Sequence, residues 1–247
     1  MADPIDIERK KPILKASRIK NTSNQTKGSD MKIIGVNGSP RKQWNTATLL
    51  EKALAGAASQ GAETELVHLY DLDFKGCTSC FACKLIGGSF EGRCAMRDEL
   101  TPLIERITRK TDALILGTPI YFGGMTGEAR SFMERLLFAP LVYSTPPRTV
   151  FPIKVKTGLI YTMNVTAESS MERQYPVLYQ TAESYFSRIL GAPAETLCVY
   201  DTCQFPDYSR VVMEYMNPAH KIKQREKAFP QDCQRAYELG VRLVTPD

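Results

Sequence analysis

The chain has 247 residues, of which 43% are hydrophobic and 24% charged, a composition typical of a globular protein with a sizeable core. No apolar run approaches the ~18 residues of a membrane span, and the first residues lack the apolar core of a secretory signal, so we expect a cytoplasmic protein with no membrane partner. The seven cysteines are clustered rather than dispersed, which favours a reduced setting over a disulfide framework.

Residues 1–30 precede the first regular pattern of the chain. They carry seven Lys or Arg against four Asp or Glu and so contribute +3 of the net charge of +5. Because they have little aromatic or periodic content, we expect a flexible N-terminal extension before a domain at 31–247. Scattered cations of this kind are usually solvated, so no nucleic-acid partner is expected.

From Met31 onward, strand patterns alternate with helix patterns. Short apolar or alternating runs predict strands at 32–38, 63–70, 112–120, 155–164 and 194–202. Apolar residues at helical spacing predict helices at 46–61, 98–110, 127–138, 172–191 and 230–244. This alternation predicts an α/β fold, a doubly wound five-stranded parallel sheet in a three-layer α/β/α arrangement. The segment 203–229 is predicted to be irregular.

The segment that follows the first strand, "NGSPRKQWNTATLL" (37–50), has the features of an anion site. It is neither a P-loop nor a G-x-G-x-x-G fingerprint. It is a turn of small residues that leads into a helix N-terminus, with hydrogen-bond donors at Ser39, Arg41, Asn45 and Thr46, and with Asn45 or Thr46 as the helix cap. Backbone amides and donors in this arrangement suit a phosphate monoester; the alternative is an ordinary strand-to-helix turn.

Two further loops follow strands at the same edge of the predicted sheet, where doubly wound folds bind ligands. In "GTPIYFGGMTGE" (117–128), Pro119 ends the strand and Gly123 permits close approach of a ligand, while Tyr121 and Phe122 offer flat surfaces. "YTMN" (161–164) gives the fourth strand a polar end. Together the three loops predict a slot for a flat ring whose phosphate tail lies in the first loop.

The order of elements, "GSPR…NT" after the first strand and "PIYFGGMTGE" after the third resemble the NADPH-dependent FMN reductase family, and most closely its branch of iron–sulfur flavoproteins and multimeric flavodoxins. The resemblance covers residues 31–200 and implies a flavodoxin-like fold that binds FMN. The FMN-binding residues that it implies are Ser39, Arg41, Asn45, Thr46, Ala47, Pro119, Ile120, Tyr121, Phe122, Gly123, Thr162, Met163 and Asn164. Trp44 departs from the family, which usually has a small residue there.

Four cysteines lie within the loop at 76–94, namely Cys77, Cys80, Cys83 and Cys94. Thiolates at such spacing satisfy an iron–sulfur cubane or a tetrahedral zinc, and free redox-active thiols or disulfides are the alternatives. The resemblance implies that these four residues ligate a [4Fe–4S] cluster, although the spacer before Cys94 is longer than cluster-binding relatives have. We expect this loop to open on the flavin side.

The other cysteines, Cys198, Cys203 and Cys233, are predicted to be structural. Neither histidine has the spacing of a metal ligand, and no side chain is predicted to be catalytic.

The resemblance implies an FMN-dependent oxidoreductase that NAD(P)H reduces and that passes electrons to a flavin, a quinone or a similar small acceptor. One alternative is an iron–sulfur flavoprotein that a ferredoxin supplies with electrons through the cysteine cluster. Another is an interaction module without flavin, against which the phosphate loop argues. We also expect a homodimer or homotetramer in which residues exposed in 203–229 wall in the flavin edge, namely Phe205, Tyr208, Tyr215 and Met216.

Overall fold

The computed structural model describes residues 31–212, 214 and 216–245. The predicted extension at 1–30 and the predicted interface residue Tyr215 lie outside the described residues. The strands are β1 (Lys32–Asn37), β2 (Glu63–His68), β3 (Ala113–Pro119), β4 (Leu141–Val142), β5 (Arg148–Thr149), β6 (Lys156–Thr162) and β7 (Ala194–Val199). The helices are α1 (Asn45–Ser59), α2 (Thr101–Lys110), α3 (Gly127–Phe138), α4 (Ala167–Glu172), α5 (Tyr175–Leu190), α6 (Pro218–Lys227) and α7 (Phe229–Val244).

Five parallel strands form one sheet in the order β2-β1-β3-β6-β7, which confirms the predicted architecture. The chain leaves β1 for one neighbour, β2, and then returns to the other, β3. The strand order therefore reverses at β1, and a crevice opens there at the carboxyl ends of the strands. The small strands β4 and β5 pair with each other as an antiparallel hairpin outside this sheet.

Alternate residues of each central strand point into opposite helical layers, as the pleat of a strand requires. On one face, Ile33 and Ile115 pack with apolar residues of α1 and α7. On the other face, Ile34 and Leu114 pack with apolar residues of α2, α3 and α5. The two apolar clusters lie on opposite faces of the sheet and give the predicted three-layer α/β/α arrangement.

Helices α1 and α7 touch backbone to backbone through two glycines. A Cβ on Gly56 would lie 2.0 Å from the Tyr237 carbonyl oxygen, and a Cβ on Gly240 would lie 1.7 Å from the Ala53 carbonyl oxygen. Any larger residue at either position would have to push the helices apart.

The structure differs from the predicted elements at a few places. The helix predicted at 172–191 is α5 and begins at Tyr175, because Gln174 before it adopts a left-handed backbone conformation with φ 58°. The short helix α4 was not predicted. Helix α6 and the β4–β5 hairpin were not predicted. Among the described residues, no helix is both long enough and apolar enough to span a membrane.

Candidate functional site

The turn after β1 is held by its own hydrogen bonds. The Asn37 side-chain oxygen accepts from the Ser39 N–H at 3.0 Å, and the Ser39 hydroxyl oxygen accepts from the Arg41 N–H at 3.1 Å. The Gly38 N–H donates to the Gly117 carbonyl of β3 at 2.7 Å, which fixes the turn against the neighbouring strand. Neither bond of Ser39 uses its hydroxyl hydrogen, so this group can donate to a ligand.

Helix α1 begins at Asn45 with its first amides available to an anion. Trp44 occupies the N-cap position, and no side chain caps the helix, so the prediction that Asn45 or Thr46 is the cap was wrong. The amides of the first turn have no acceptor within a helix, and this turn contains no acidic residue. The positive end of the helix dipole therefore faces the turn without compensation, which favours a bound phosphate.

The donor side chains predicted for this loop contact a segment at the far end of the chain. The Cys203 carbonyl accepts from the Asn45 amide at 2.8 Å and from the Trp44 indole N–H at 3.1 Å. The Arg41 guanidinium donates to the Gln204 carbonyl and lies 5.5 Å from the ring centroid of Phe205. Residues 203–205 therefore cover the outer side of the phosphate loop.

This packing corrects the prediction that 203–229 presents an exposed wall. Tyr208 is buried, and its hydroxyl accepts from the Gln204 N–H at 2.9 Å. Phe205 and Met216 are half-buried rather than exposed. At these positions the segment packs against the rest of its own chain.

The loop after β3 is a tight turn with an aromatic residue at its tip. Tyr121 and Gly124 exchange two backbone hydrogen bonds of 2.9 and 3.0 Å. Between them, Phe122 and Gly123 both have positive φ, 49° and 79°, a conformation that an aromatic residue adopts only at a cost. Phe122 is fully exposed and Tyr121 is 45% exposed. Two aromatic rings therefore stand at the rim of the crevice.

The loop after β6 lies beside the other two loops. The hydroxyl groups of Thr46 and Thr162 are hydrogen-bonded at 2.8 Å, and the Ile120 N–H donates to the Thr162 carbonyl at 2.9 Å. Met163 is buried, and its sulfur accepts from the Tyr179 hydroxyl at 3.2 Å. The structure thus brings the residues predicted in the three loops together at one edge of the sheet.

Asn164 contains a buried acceptor that lacks a partner among the described residues, its side-chain oxygen Oδ1. Its amide nitrogen lies 3.0 Å from the sulfur of Met216, so the amide is oriented. A buried acceptor without a partner costs free energy. An N–H on the edge of a flavin ring would supply the missing donor, so the residues at this edge fit a flavin.

A charged cluster that sequence reasoning missed supports this third loop. Lys221 of α6 is buried, and its ammonium donates to the Asn164 carbonyl at 2.7 Å and to Asp201. Burial alone would raise the pKa of Asp201, but the hydrogen bonds from Lys221 and His220 outweigh it and hold the pKa below its usual range. A lysine in a polar segment gives no sequence signal for such a role, because most lysines are solvated.

The four cysteines of the 76–94 loop line one small hollow against α3. Its volume is about 20 Å³, and Cys77, Cys80, Cys83 and Cys94 all face it. Ser79 and Phe81, on either side of Cys80, both have positive φ, 54° and 55°. Strain of this kind in residues other than glycine is concentrated at functional sites.

The donor set of this hollow fits an iron–sulfur cluster, but its dimensions do not. In the ranges 31–212, 214 and 216–245, no group of three or more Cys, His, Asp or Glu side chains is spaced to hold a metal ion. A hollow of about 20 Å³ holds one water molecule. Binding of a cluster would therefore require the loop to spread.

Two cations stand beside the hollow, the buried Arg135 and the half-buried Lys84. The Arg135 Nε donates to the Cys94 sulfur at 3.0 Å, and its Nη1 donates to Asp98 at 2.7 Å. The Lys84 ammonium donates to carbonyls at the end of α3, including that of Ala139 at 3.1 Å. Burial raises the pKa of the Cys83 thiol and lowers the pKa of Lys84. A negative group in the hollow would therefore lie near two cationic side chains.

The hollow lies some way along α3 from the aromatic turn, and the expectation that the loop opens on the flavin side stays a prediction. The hollow packs on Glu134, Arg135 and Phe138 in the second half of α3, whereas the aromatic turn leads into the first residue of that helix, Gly127. At 1.5 Å per residue, Arg135 lies about 12 Å along the helix from Gly127. The two candidate sites are separated by most of a helix within one chain.

The other three cysteines, predicted to be structural, have free thiols, and both histidines have side-chain partners. The described residues include all seven cysteines, and none forms a disulfide. Burial raises the pKa of Cys198 to about 11. The His68 ring nitrogen Nδ1 is 2.9 Å from the Asn37 amide, within the sheet, and His220 pairs with Asp201.

The sequence is similar to one protein family and to several iron–sulfur flavoproteins. The profile of the family described as NADPH-dependent FMN reductase matches residues 31–166, more than half of the chain. An iron–sulfur flavoprotein of Methanocaldococcus jannaschii is 35% identical over 128 residues, which are 52% of this chain and 59% of the relative. An iron–sulfur flavoprotein of Methanosarcina thermophila is 26% identical over 67% of this chain and 85% of its own length. The match to the first of these thus spans about three-fifths of that relative's length.

Solved structures show the same fold at low sequence identity. An NAD(P)H:quinone oxidoreductase from Methanothermobacter marburgensis superposes with a TM-score of 0.64 at 15% identity, covering 87% of this chain and 100% of that chain. An FMN-dependent NADH-azoreductase from Bacillus anthracis in complex with FMN superposes with a TM-score of 0.57 at 11% identity, over 87% of this chain and 100% of that chain. Both place the chain in the flavodoxin-like fold.

Proposed function

The chain belongs to the NADPH-dependent FMN reductase family, and from that membership we propose that it is an FMN-dependent oxidoreductase that takes electrons from NAD(P)H. We infer that residues 31–247 act as one FMN-binding domain. The observation that carries the proposal is the convergence of three loops at the carboxyl ends of β1, β3 and β6, each with features that a flavin phosphate or ring requires.

Each loop has a distinct part in the proposed binding. The first supplies the phosphate with helix amides and the Ser39 hydroxyl. The second places Tyr121 and Phe122 beside the ring, and the third offers the buried acceptor of Asn164. Bound FMN supplies hydride and electron transfer, while the protein orients it and excludes water from the buried edge.

We propose that the nicotinamide and the electron acceptor use the same open face in turn. The sequence has no dinucleotide fingerprint that would make a separate NAD(P)H site, and the aromatic turn is exposed to solvent. A flat acceptor such as a flavin, a quinone or an azo compound matches an aromatic rim of this kind. The names of two proteins with the same fold are in line with this class of acceptor, since one is a quinone oxidoreductase and the other an azoreductase.

Anaerobic reduction tests this function. Protein purified with its flavin is expected to release FMN on denaturation, and its visible absorption is expected to bleach when NADPH or NADH is added. A quinone added afterwards is expected to restore the absorption. A protein that retains FAD instead, or FMN that neither nucleotide bleaches, would contradict the proposal.

A second candidate function is supported by the four cysteines of the 76–94 loop, which would have to spread to admit a cluster. Four cysteines line one space beside a buried guanidinium, and curated relatives are named iron–sulfur flavoproteins. We propose as the alternative that Cys77, Cys80, Cys83 and Cys94 hold a [4Fe–4S] cluster and that a ferredoxin is the electron donor.

Iron analysis separates the two candidates. Protein prepared without air is expected to contain about four iron atoms per chain if the cluster is present, and Cys94→Ser is expected to lower that content. Cys233→Ser is the control, because Cys233 lies on α7 outside the hollow. Iron below one atom per chain in protein that contains FMN would exclude the cluster and leave free thiols.

A further inference from the structure

Trp44, the residue that departs from the family pattern, lies between two arginines. Its ring centroid is 5.6 Å from the Arg41 guanidinium carbon and 5.0 Å from that of Arg225. Arg41 belongs to the phosphate loop, whereas Arg225 belongs to α6 near the other end of the chain. The indole therefore provides a flat support for a cation that sequence reasoning did not assign to the site.

The second guanidinium reaches the first residue of α1. Arg225 donates to the Asn45 side-chain oxygen, and its guanidinium also lies 4.4 Å from the ring centroid of Phe229. Two rings and one hydrogen bond thus fix its position. A guanidinium has five N–H donors, so one bond to Asn45 leaves donors for a ligand.

This arrangement collects positive charge in one place. The N-terminus of α1 carries the positive end of its dipole, and its first turn contains no acidic residue. Among the described residues, neither Arg41 nor Arg225 has a carboxylate within 4.0 Å. Two guanidiniums beside a helix N-terminus repel one another unless an anion lies between them. A phosphate dianion has the negative charge and the hydrogen-bond acceptors that would satisfy both guanidinium groups.

We propose that Arg225, supported on Trp44, binds the phosphate of FMN together with Arg41 and selects phosphorylated flavin over riboflavin. The proposal rests on the proposed function, since it assumes that the phosphate loop holds FMN. It adds a residue of α6 to a site otherwise built from the three strand-end loops. It also accounts for Trp44, because a small residue at this position would leave Arg225 without its support.

The test compares FMN with riboflavin, which has the same ring and no phosphate. Dissociation constants are measured by flavin fluorescence for the wild type, Arg225→Ala, Arg225→Lys and Lys227→Ala. Lys227→Ala is the matched control, because Lys227 is an exposed cation on the same helix. Arg225→Ala is expected to weaken FMN by about 10- to 100-fold, the range of a hydrogen bond to a charged group, and to leave riboflavin unchanged. Arg225→Lys is expected to lie between them, and Lys227→Ala to match the wild type.

The outcomes distinguish this proposal from the proposed function. If the wild type binds neither flavin, the proposed function fails and the assignment of Arg225 fails with it. If the wild type prefers FMN but Arg225→Ala weakens both flavins equally, Arg225 only fastens α6 to the loop, and the proposal alone is overturned. If Lys227→Ala weakened FMN binding as much as Arg225→Ala, the effect would come from the net positive charge of α6 and not from a specific contact of Arg225, and the proposal would be overturned. Circular dichroism of each variant shows whether it is folded.

Discussion

Arg135 is fully buried, and its guanidinium joins Cys94 of the cysteine loop to one residue on either side of that loop. It donates to the Lys75 carbonyl at 2.8 Å, to Asp98 at 2.7 Å and to the Cys94 sulfur at 3.0 Å. Sequence reasoning placed this arginine on a helix without a role, because helical spacing does not tell a buried arginine from a solvated one. The contacts make it the residue on which the loop is organised.

Replacement of Arg135 by Met is expected to destabilise the protein by about 3 kcal/mol, because it removes the buried guanidinium that pairs with the half-buried Asp98. The measurement is the free energy of unfolding in urea. Arg130→Met is the control, since Arg130 is exposed on the same helix and pairs with Glu134; it is expected to cost under about 1 kcal/mol. Equal stability of the two variants would contradict the role given to Arg135.

Asp98 is expected to make the stability of the folded protein decrease at low pH. Burial alone would raise the pKa of this carboxyl, but the hydrogen bonds from Arg135 outweigh burial and the folded-state pKa is below its usual value. Such a group stabilises fully above its unfolded pKa, about 3.9, and this contribution is lost as the pH falls through the folded pKa. The free energy of unfolding is therefore expected to fall more steeply from about pH 5 to pH 3 in the wild type than in Asp98→Asn. Parallel pH profiles in urea unfolding would show that Asp98 is not the group responsible.

At the scale of elements, the sequence predicted what hydrophobic periodicity specifies. The five strands of the sheet and the helices that pack on it are apolar on their buried faces, and these were found. Helix α6 was missed because its sequence, "PAHKIKQREK", has no apolar stripe, and among its residues only Lys221 is buried. Helix α6 is held by ionic contacts, and such contacts leave no hydrophobic periodicity in the sequence. The start of α2 was predicted three residues early because Asp98 is used by Arg135 rather than by the helix.

The docking of α6 can be tested through Lys221. Lys221→Met keeps the apolar stem but removes the ammonium that joins Asp201 to the Asn164 carbonyl. The third flavin loop is expected to loosen, seen as faster hydrogen exchange of the amides at 162–165, and the protein to lose about 3 kcal/mol of stability. Lys223→Met, an exposed position on the same helix, is expected to change neither quantity. Unchanged exchange in Lys221→Met would separate α6 from the loop.

At the scale of the whole molecule, the sequence predicted which edge of the sheet holds the site. It did not predict that residues 203–205 would cover the phosphate loop. Residues of the three loops follow strands, so topology alone brings them together. The side chains of Arg41 and Asn45 were expected to face a phosphate directly, yet both also contact residues 203–205. Contacts between residues about 160 positions apart follow from the packing of an irregular segment, for which the sequence has no pattern.

The exposed rings predict self-association. Phe122 is fully exposed and Tyr121 is partly so at the flavin rim, and Ile86 is 95% exposed on the cysteine loop. Exposed apolar groups beside a site mark interfaces, so a homodimer or homotetramer is expected. Light scattering across micromolar concentrations measures the mass; a monomer throughout the series would contradict the prediction.

The glycine contact between α1 and α7 links the end of the chain to the cofactor. Gly56 lies about 16 Å along α1 from Asn45 at 1.5 Å per residue, and at Gly56 and Gly240 the two helices meet without a side chain to absorb a shift. The position of α7 therefore fixes the position of α1, and with it the helix N-terminus at the phosphate site. Damage to α7 by proteolysis would be transmitted to the phosphate site, so the yellow colour of a preparation would also report whether α7 is intact.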